Sequence, residues 1–447
     1  MILWQEQIGP AAPRSPLPGD IQADVCIVGA GYTGLWTALH LLRQDPTLRV
    51  VLVERDVAGA GASGRNGGWC SALFPTSWHR MGRDASRESV VAMQRSLEDS
   101  VDEVGRSGIA CDYAKGGSMA LIRSQAQLAR AKAELSEARS WGFGPDTLDL
   151  LDGPETNARL RATRVLGAVT TEHCAALHPA KLVRGLVAAV VEIGGVLHEH
   201  TAALGIDQGR VVTEHGTVTA DVVLLAVEGY TAQLPGHRRD LAPVYSLMLA
   251  TEPLSAAIWE QIGLDDRATF TDERHLTIYG QRTADGRLAF GGRGAPYHFG
   301  SRVDPSYENV PKVHEALHQT LVDLFPVLRG TQITHRWGGN LGVPRDWYPS
   351  VGFDRAAGMA WAGGYIGDGV ATANLAGRTV ADLVLGQDTP ITHLPWVRRR
   401  TKRWEPEPLR WLGVNAVTQL MSRADRTETA TGGPSRSAAL FWKALGH

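Results

Sequence analysis

The residues whose types and spacing could do chemistry begin with Gly29, Gly31 and Gly34, a G-x-G-x-x-G triplet inside DVCIVGAGYTGLWTALHLLRQDPTLRVVLVER, residues 24–55. That spacing suits the phosphates of a dinucleotide. Gly29 permits a tight turn out of a strand, Gly31 lets bare backbone approach a pyrophosphate, and Gly34 lets a helix pack close to a sheet. A helix opening at Tyr32 and Thr33 presents free N–H groups and the positive end of its dipole to the same phosphates. Glu54 lies 54 − 34 = 20 residues beyond the last glycine, where a carboxylate can accept hydrogen bonds from an adenosine ribose. Arg55 follows the acid and does not replace it, so a 2′-phosphate is not called for.

The elements that must hold these groups are legible on either side of them. Val25, Ile27 and Val28 form a β-branched run, Leu35 to Leu42 has helical periodicity, and Val50 to Val53 is a second apolar run ending at Glu54. Together they read as strand, turn, helix and strand. A crossover whose glycines merely turn the chain is the plain alternative.

A chain of 447 residues with 43% hydrophobic content has room for two or three cores. Its net charge of −2 gives no electrostatic case for nucleic acid or an anionic membrane surface. Cys26, Cys70, Cys111 and Cys174 are scattered, without a C-x-x-C pair or a Cys/His cluster at metal spacing, as in the reduced thiols of a cytosolic protein. Residues 1–20 are proline-rich and read as an extended arm over the surface; they lack a basic and apolar leader, and no later run reaches the roughly eighteen apolar residues of a membrane span. These features predict a soluble cytoplasmic enzyme.

After Glu54 comes VAGAGASGRNGGWCSALFP, too long and irregular for a hairpin. Exposed glycine backbone is entropically costly, so such a loop grips something, and Arg65 and Asn66 could bond phosphate or polar ring atoms. Residues 85–106 and 124–141 read as amphipathic helices, with strands around Gly116 and Gly117 between them. A helix over 179–193 precedes another strand. His178 and Lys181 at its start suit either catalysis or a helix cap. A hairpin over 210–218 leads into ADVVLLAVEGYT, a buried central strand. Residues 243–305 alternate as an antiparallel sheet with a hairpin at Asp285-Gly286. Tyr279, Arg293 and Tyr297 fall where side chains can point into a cavity beneath it. A further helix runs over 310–324. Trp347 and Tyr348 either wall a pocket or fill core. Residues 359–362 read as a strand, 363–369 as a glycine-dense turn, and 370–385 as a helix whose dipole aims at the turn's occupant. The tail mixes a basic run with Trp404, Trp411 and Leu412. It reads as a helix docked on its own protein or a partner, or lying at a membrane surface, with 427–437 a loose linker.

Glu54 followed by G-A-S-G-R-N-G-G resembles the FAD-binding loop of the D-amino-acid-oxidase-like flavoproteins, which include glycine and sarcosine oxidases. The R-N-G-G variant is most similar to the γ-glutamylputrescine oxidase branch. The resemblance implies that Ser63, Gly64, Arg65, Asn66, Gly67 and Gly68 pass along the pyrophosphate and ribityl chain, and that a strand at 201–204 lies against adenine, with Ala203 as the backbone contact. It also implies that the G-Y-x-G-x-G-V stretch, with Gly364, Gly367, Gly369 and Val370, sets backbone N–H groups at flavin N1 and O2. Glu228 stands where the family's A-x-N-A/G-Y-T has asparagine. Ala289 and Arg293 stand where sarcosine-oxidase-type relatives carry a lysine linked to oxygen reactivity and an active-site histidine. Arginine there favours a substrate carrying a carboxylate or phosphonate, the alternative being a surface ion pair. At Gly338, where relatives attach flavin through cysteine, this chain has neither a cysteine nor a histidine side chain, so FAD is expected to be non-covalent.

The implied fold is α/β, α+β overall: a Rossmann-like FAD domain from residues 1–80, 151–240 and 331–390, an inserted, mostly antiparallel substrate domain from 81–150 and 241–330, and a helical tail over 391–447. The implied reaction is oxidation of a C–N bond in a primary or secondary amine or amino acid, by hydride transfer to FAD N5 and imine hydrolysis, with oxygen as acceptor and H2O2 formed. Tyr279, Arg293 and Trp347 are the expected substrate-side residues. The rivals are an amine dehydrogenase with another acceptor, a flavin monooxygenase, a nicotinamide-dependent dehydrogenase and a non-catalytic flavoprotein.

Overall fold

The computed structural model describes residues 2–10 and 12–445, with side chains described to Phe441. Two eight-stranded sheets carry the chain. In the first, Ile21–Val28 lies between Val50–Val53 and Gly216–Leu225, both parallel to it. Val196–His198 extends the sheet on one side and Met359–Gly363 on the other, again parallel, and antiparallel Ser350–Asp354 closes that edge. Parallel strands need crossovers. Helices Tyr32–Gln44, Pro179–Glu192 and Gly369–Leu385 pack on this sheet in one core that holds Ile27, Leu35, Leu52, Leu182, Leu224 and Leu375.

The second sheet runs Ile333–Pro344, Leu241–Thr251, Leu288–Gly292, Ile278–Arg282, Thr269–Asp272, Ser118–Ile122, Gly167–Thr171 and Asp149–Asp152. All its pairings are antiparallel except that of Thr269–Asp272 with Ser118–Ile122. Its own core gathers Phe270, Phe290, Leu247, Leu321 and Phe325. Strands from 167–171 and 333–344 belong to this sheet, so it reaches past residues 150 and 330. Conversely, helix Arg87–Arg106 lays Val90, Leu97 and Val101 on the first core. Its apolar positions recur every three or four residues, and Ser86 caps it by accepting the Ser89 N–H.

Three expectations are corrected. The proline-rich arm contains helix Leu3–Ile8, and Trp4 is only 1% exposed, its Nε1 donating to the Asn66 carbonyl at 2.8 Å. The local composition carries no trace of that distant partner. The strand placed at 201–204 starts later, at Ala203–Asp207, because it pairs with Arg210–Thr213 in a hairpin laid against Gly216–Leu225. The expected linker 427–437 is instead the last turn of helix Leu409–Thr431, a left-handed Gly432 and the start of helix Arg436–Leu445. Glu428 fixes it: its carboxylate pairs with Arg130 at 3.0 Å and accepts from His275 Nε2 at 3.0 Å and Ser435 N–H at 2.9 Å. The tail helix thus docks on its own chain. Among the described residues no helix is long and apolar enough to cross a membrane.

Candidate active site

One elongated cleft opens at the carboxyl end of Ile21–Val28, where parallel α/β sheets bind ligands. Gly29 has φ of +105°, and a Cβ there would stand 2.6 Å from the Ala226 carbonyl oxygen. A Cβ on Gly34 would drive into the Gly29 carbonyl, which is why the helix can lie so close to the strand. At Gly31 a Cβ would meet Ser63 Oγ at 2.9 Å, so only bare backbone leaves the cleft floor open. Ser63 Oγ accepts the Tyr32 N–H at 2.9 Å, tying the glycine-rich loop to the helix start.

The second glycine turn reaches the same cleft. Gly367, Gly369 and Val370 line it together with Gly29, Gly31, Tyr32 and Thr33. Thr33 Oγ1 and the Tyr365 hydroxyl are 3.0 Å apart, a direct bond between the two turns. Helices Tyr32–Gln44 and Gly369–Leu385 both begin without a side-chain cap, at Gly31 and Asp368. Two uncapped helix ends therefore offer N–H groups and positive dipole ends to one cavity, an arrangement built for an anionic, hydrogen-bonding guest.

The cleft extends past Glu54, Arg55, Thr201 and Ala203 at one end. Glu54 Oε2 accepts the Ala30 N–H at 2.9 Å and Oε1 the Asp56 N–H at 3.1 Å. Burial holds its carboxyl above the usual range against those bonds. Arg55 pairs with Asp56 and lies over the Tyr230 ring, 4.7 Å from its centroid.

Asn340 supplies the test of fit for a flavin dinucleotide. It lines the cleft, is 3% exposed, and both Nδ2 and Oδ1 lack hydrogen-bond partners among the described residues. A buried amide with donor and acceptor unsatisfied costs free energy unless a guest supplies both. With the bare Gly29 and Gly31 backbone and the two helix ends, these residues fit FAD.

Not every loop residue faces this cleft. Asn66 lines it, but its side chain staples its own loop, donating to the Ala62 and Ser63 carbonyls and accepting the Gly68 N–H at 2.8 Å. Arg65 turns the other way, into an ion pair with Glu308, while its carbonyl accepts Trp337 Nε1 at 2.8 Å. Gly64, Gly67 and Gly68 are close-packing positions. A Cβ on Gly64 would strike the Gly59 carbonyl, one on Gly67 would lie 2.7 Å from the Tyr279 ring, and one on Gly68 would strike Gln281 and the Leu177 carbonyl. Gly364 holds no wall either; its N–H goes to Glu228 Oε1 at 3.1 Å.

Glu228 is the residue the sequence placed without a role. It lines the cleft at φ of +43°, and besides Gly364 it accepts the Tyr365 N–H at 2.9 Å on Oε1 and the Gly342 N–H at 2.6 Å on Oε2. One carboxylate thus fastens the second glycine turn to strand Ile333–Pro344. Burial pushes it up to about 7, against the pull of those three N–H groups.

On the far side of that turn the second sheet brings Arg293, Tyr279 and Trp347 together. Arg293 Nη2 donates to the Ile366 carbonyl, and its guanidinium stands 5.9 Å from the Trp347 ring. Tyr279 shares a 2.8 Å bond with Ser246 Oγ and meets Trp69 edge-on at 6.3 Å. Asp368 makes no side-chain hydrogen bond as helix N-cap, and burial raises it to about 7 although Arg293 pulls it down. Trp347 is held at φ of +56°, its carbonyl accepting Thr76 Oγ1 at 3.0 Å. Tyr348 is core, with Arg399 over its ring at 4.1 Å. Tyr297 does not line the cleft: it is 1% exposed, and its hydroxyl donates to Glu407 of the tail at 2.8 Å. His178 caps helix Pro179–Glu192, Nδ1 accepting the Lys181 N–H, and Lys181 pairs with Asp112.

Asn340, Tyr365, Thr201 and Glu228 escaped assignment from sequence. Tyr365 sat inside the G-Y-x-G-x-G-V stretch and could have been included; Asn340 carries no local signal, being one polar residue in a long strand. The described lining contains neither cysteine nor histidine.

A family model described as FAD dependent oxidoreductase, DAO, matches residues 24–383. The probable oxidoreductase OrdL of Rhizobium meliloti (strain 1021) is 33% identical over 405 residues, covering 87% of this chain and 89% of its own. The gamma-glutamylputrescine oxidoreductase of Escherichia coli (strain K12) is 31% identical over 410 residues, covering 88% and 92%. Glycine oxidase from Geobacillus kaustophilus superposes with a TM-score of 0.70 at 21% identity, over 85% of this chain and 99% of its own. With its two helix ends, its bare glycine turns and its span matched to that model, the chain belongs to the DAO family of FAD-dependent oxidoreductases.

Proposed function

We propose that this protein oxidises the C–N bond of a small primary or secondary amine that carries an acidic group, releasing a carbonyl compound and ammonia or a smaller amine. The observation that carries the reading is the meeting of Arg293, from the second sheet, with the turn that closes the cofactor cleft. Bound FAD supplies a two-electron hydride acceptor. The rest falls to this chain's residues. The Arg293 guanidinium has a planar fork suited to a carboxylate or phosphonate. Trp347 lies against Arg293 and Trp69 against Tyr279, aromatic faces that would shield a substrate from water. Asp368 takes one proton from the substrate ammonium onto its carboxylate, leaving the nitrogen lone pair free, and its titration near 7 suits that exchange. Loss of hydride from the adjacent carbon then gives an imine, which water hydrolyses. Relatives named as gamma-glutamylputrescine oxidoreductase and glycine oxidase support an amine or amino-acid substrate. Oxygen is the proposed acceptor, read out as H2O2.

The test is anaerobic bleaching of the bound flavin by paired amines with and without a carboxylate. The acid-bearing amine is expected to bleach it, and Arg293→Gln to raise the concentration needed by about tenfold to a hundredfold, the value of one charge-assisted bond pair of about 1.5–3 kcal/mol. Equal bleaching by both amines in wild type and variant would remove Arg293 from the reading. Bleaching without peroxide in air would replace oxygen by another acceptor.

A further inference from the structure

A second cavity, of about 390 Å³, adjoins the cofactor loop on the side of the N-terminal helix. That volume is within the range of small-molecule sites. Its walls hold the loop: Trp4 Nε1 donates to the Asn66 carbonyl, Gln281 Nε2 to the Gly67 carbonyl at 2.7 Å, and the Leu177 N–H to the Gly68 carbonyl at 2.8 Å. Trp4, Gln281 and Leu177 all line the cavity.

Two fully enclosed polar atoms of the lining lack partners among the described residues. Gln281 is 0% exposed; its amide nitrogen spends both hydrogens on the Gly67 and Leu177 carbonyls, which fixes the orientation and leaves Oε1 an unused acceptor. His178 is 4% exposed; its Nδ1 accepts the Lys181 N–H, so the ring proton sits on Nε2, an unused donor.

The charges decide the class of guest. Both Asp112 oxygens are taken by Lys181 Nζ at 2.8 and 2.9 Å. Asp285 is taken by Gln7, Thr283 and Arg287. The neighbouring Asp265 and Asp266 pair with Arg282 and Arg159. Arg267 is different: its Nε and Nη1 donate to the Arg282 and Asp112 backbone carbonyls, and among the described residues no carboxylate forms an ion pair with it, the Asp112 charge acting on it only from a distance while held by Lys181. A half-buried guanidinium satisfied only by neutral oxygens is an open seat for an anion.

We infer that this cavity binds a small carboxylic acid bearing a hydroxyl or ammonium beside the carboxylate, with the carboxylate on Arg267 and His178 Nε2–H and the adjacent donor on Gln281 Oε1. The site is separate from the Arg293 cluster and owes nothing to the proposed reaction. The experiment is titration calorimetry of the FAD-loaded protein with glycolate, which offers both groups, and with acetate, which lacks the donor. The expected result is saturable glycolate binding at least fivefold tighter than acetate. Arg267→Gln is expected to weaken it at least tenfold, as is Ala284→Trp, which fills the cavity from an exposed loop position. Arg293→Gln is expected to leave it within twofold. No saturable glycolate heat, binding that Ala284→Trp leaves unchanged, or binding lost in Arg293→Gln but kept in Arg267→Gln would each overturn the inference.

Discussion

Glu228→Gln is the perturbation with the sharpest sign. The Glu228 carboxyl moves from an ordinary 4.5 to about 7 because burial outweighs three backbone N–H bonds. A raised acid stabilises the fold fully below its unfolded value and loses that contribution as pH climbs through the folded one. At pH 5 the native carboxyl is protonated, and a glutamine of the same shape costs little. By pH 8.5 the wild type buries a charge that the variant does not carry. A shift of 2.5 units at about 1.36 kcal/mol each gives about 3 kcal/mol, most of it lost between pH 5 and 8.5. For 447 residues at about 2.1 cal/mol/K each, unfolding entropy is about 0.9 kcal/mol/K, so the pH effect on Tm is about 3 °C. The assay is thermal unfolding of both proteins at fixed excess FAD across that range. The wild type is expected to fall relative to the variant as pH rises, most steeply between the unfolded value of 4.5 and the folded value of about 7, and to level off above it. A Tm difference flat from pH 5 to 8.5 would show that Glu228 ionises like an exposed acid, and would refute the electrostatic account of the second turn.

Two further perturbations probe the scaffold. Gly68→Ala puts a Cβ at φ of +70° into Gln281 and the Leu177 backbone carbonyl, neither of which can yield without releasing the cofactor loop. A loss of more than about 3 kcal/mol is expected by denaturant unfolding, and a loss under about 1 kcal/mol would show that the loop is not clamped. Glu428→Ala strips the buried partner of Arg130 and His275, costing the tail about 3–5 kcal/mol. Limited proteolysis is expected to cut within 409–445 and spare the remainder; unchanged protection would contradict the docking.

The first glycine triplet was legible because its spacing between an apolar strand and a helix is itself the signal, although the contacts that require bare backbone at Gly29 and Gly31 lie far along the chain, at Ala226 and Ser63. The second turn was legible through its own glycines and small residues. What local pattern could not carry were partners far along the chain. Arg65 looked like a phosphate ligand by charge and company, yet Glu308, 243 residues away, takes it. Trp4 sat in a proline-rich arm whose composition says surface, and tertiary contact with Asn66 and His178 buries it. Asn340 is polar within an ordinary strand, and only the cleft that surrounds it shows its purpose. Sheet membership suffered likewise: 333–344 has the alternation of any strand, and its pairing with Leu241–Thr251 is a long-range choice.

The claim beneath all of this is that two uncapped helix ends share one flavin dinucleotide. The most direct measurement is FAD titration of stripped protein, followed by quenching of flavin fluorescence, in wild type and Gly31→Leu. A leucine there crowds Ser63 Oγ and fills the cleft floor. Saturation of the wild type at one FAD per chain and at least a hundredfold weaker binding by the variant is the predicted result. A wild type that takes up no FAD, or a variant that binds it as tightly, would contradict it.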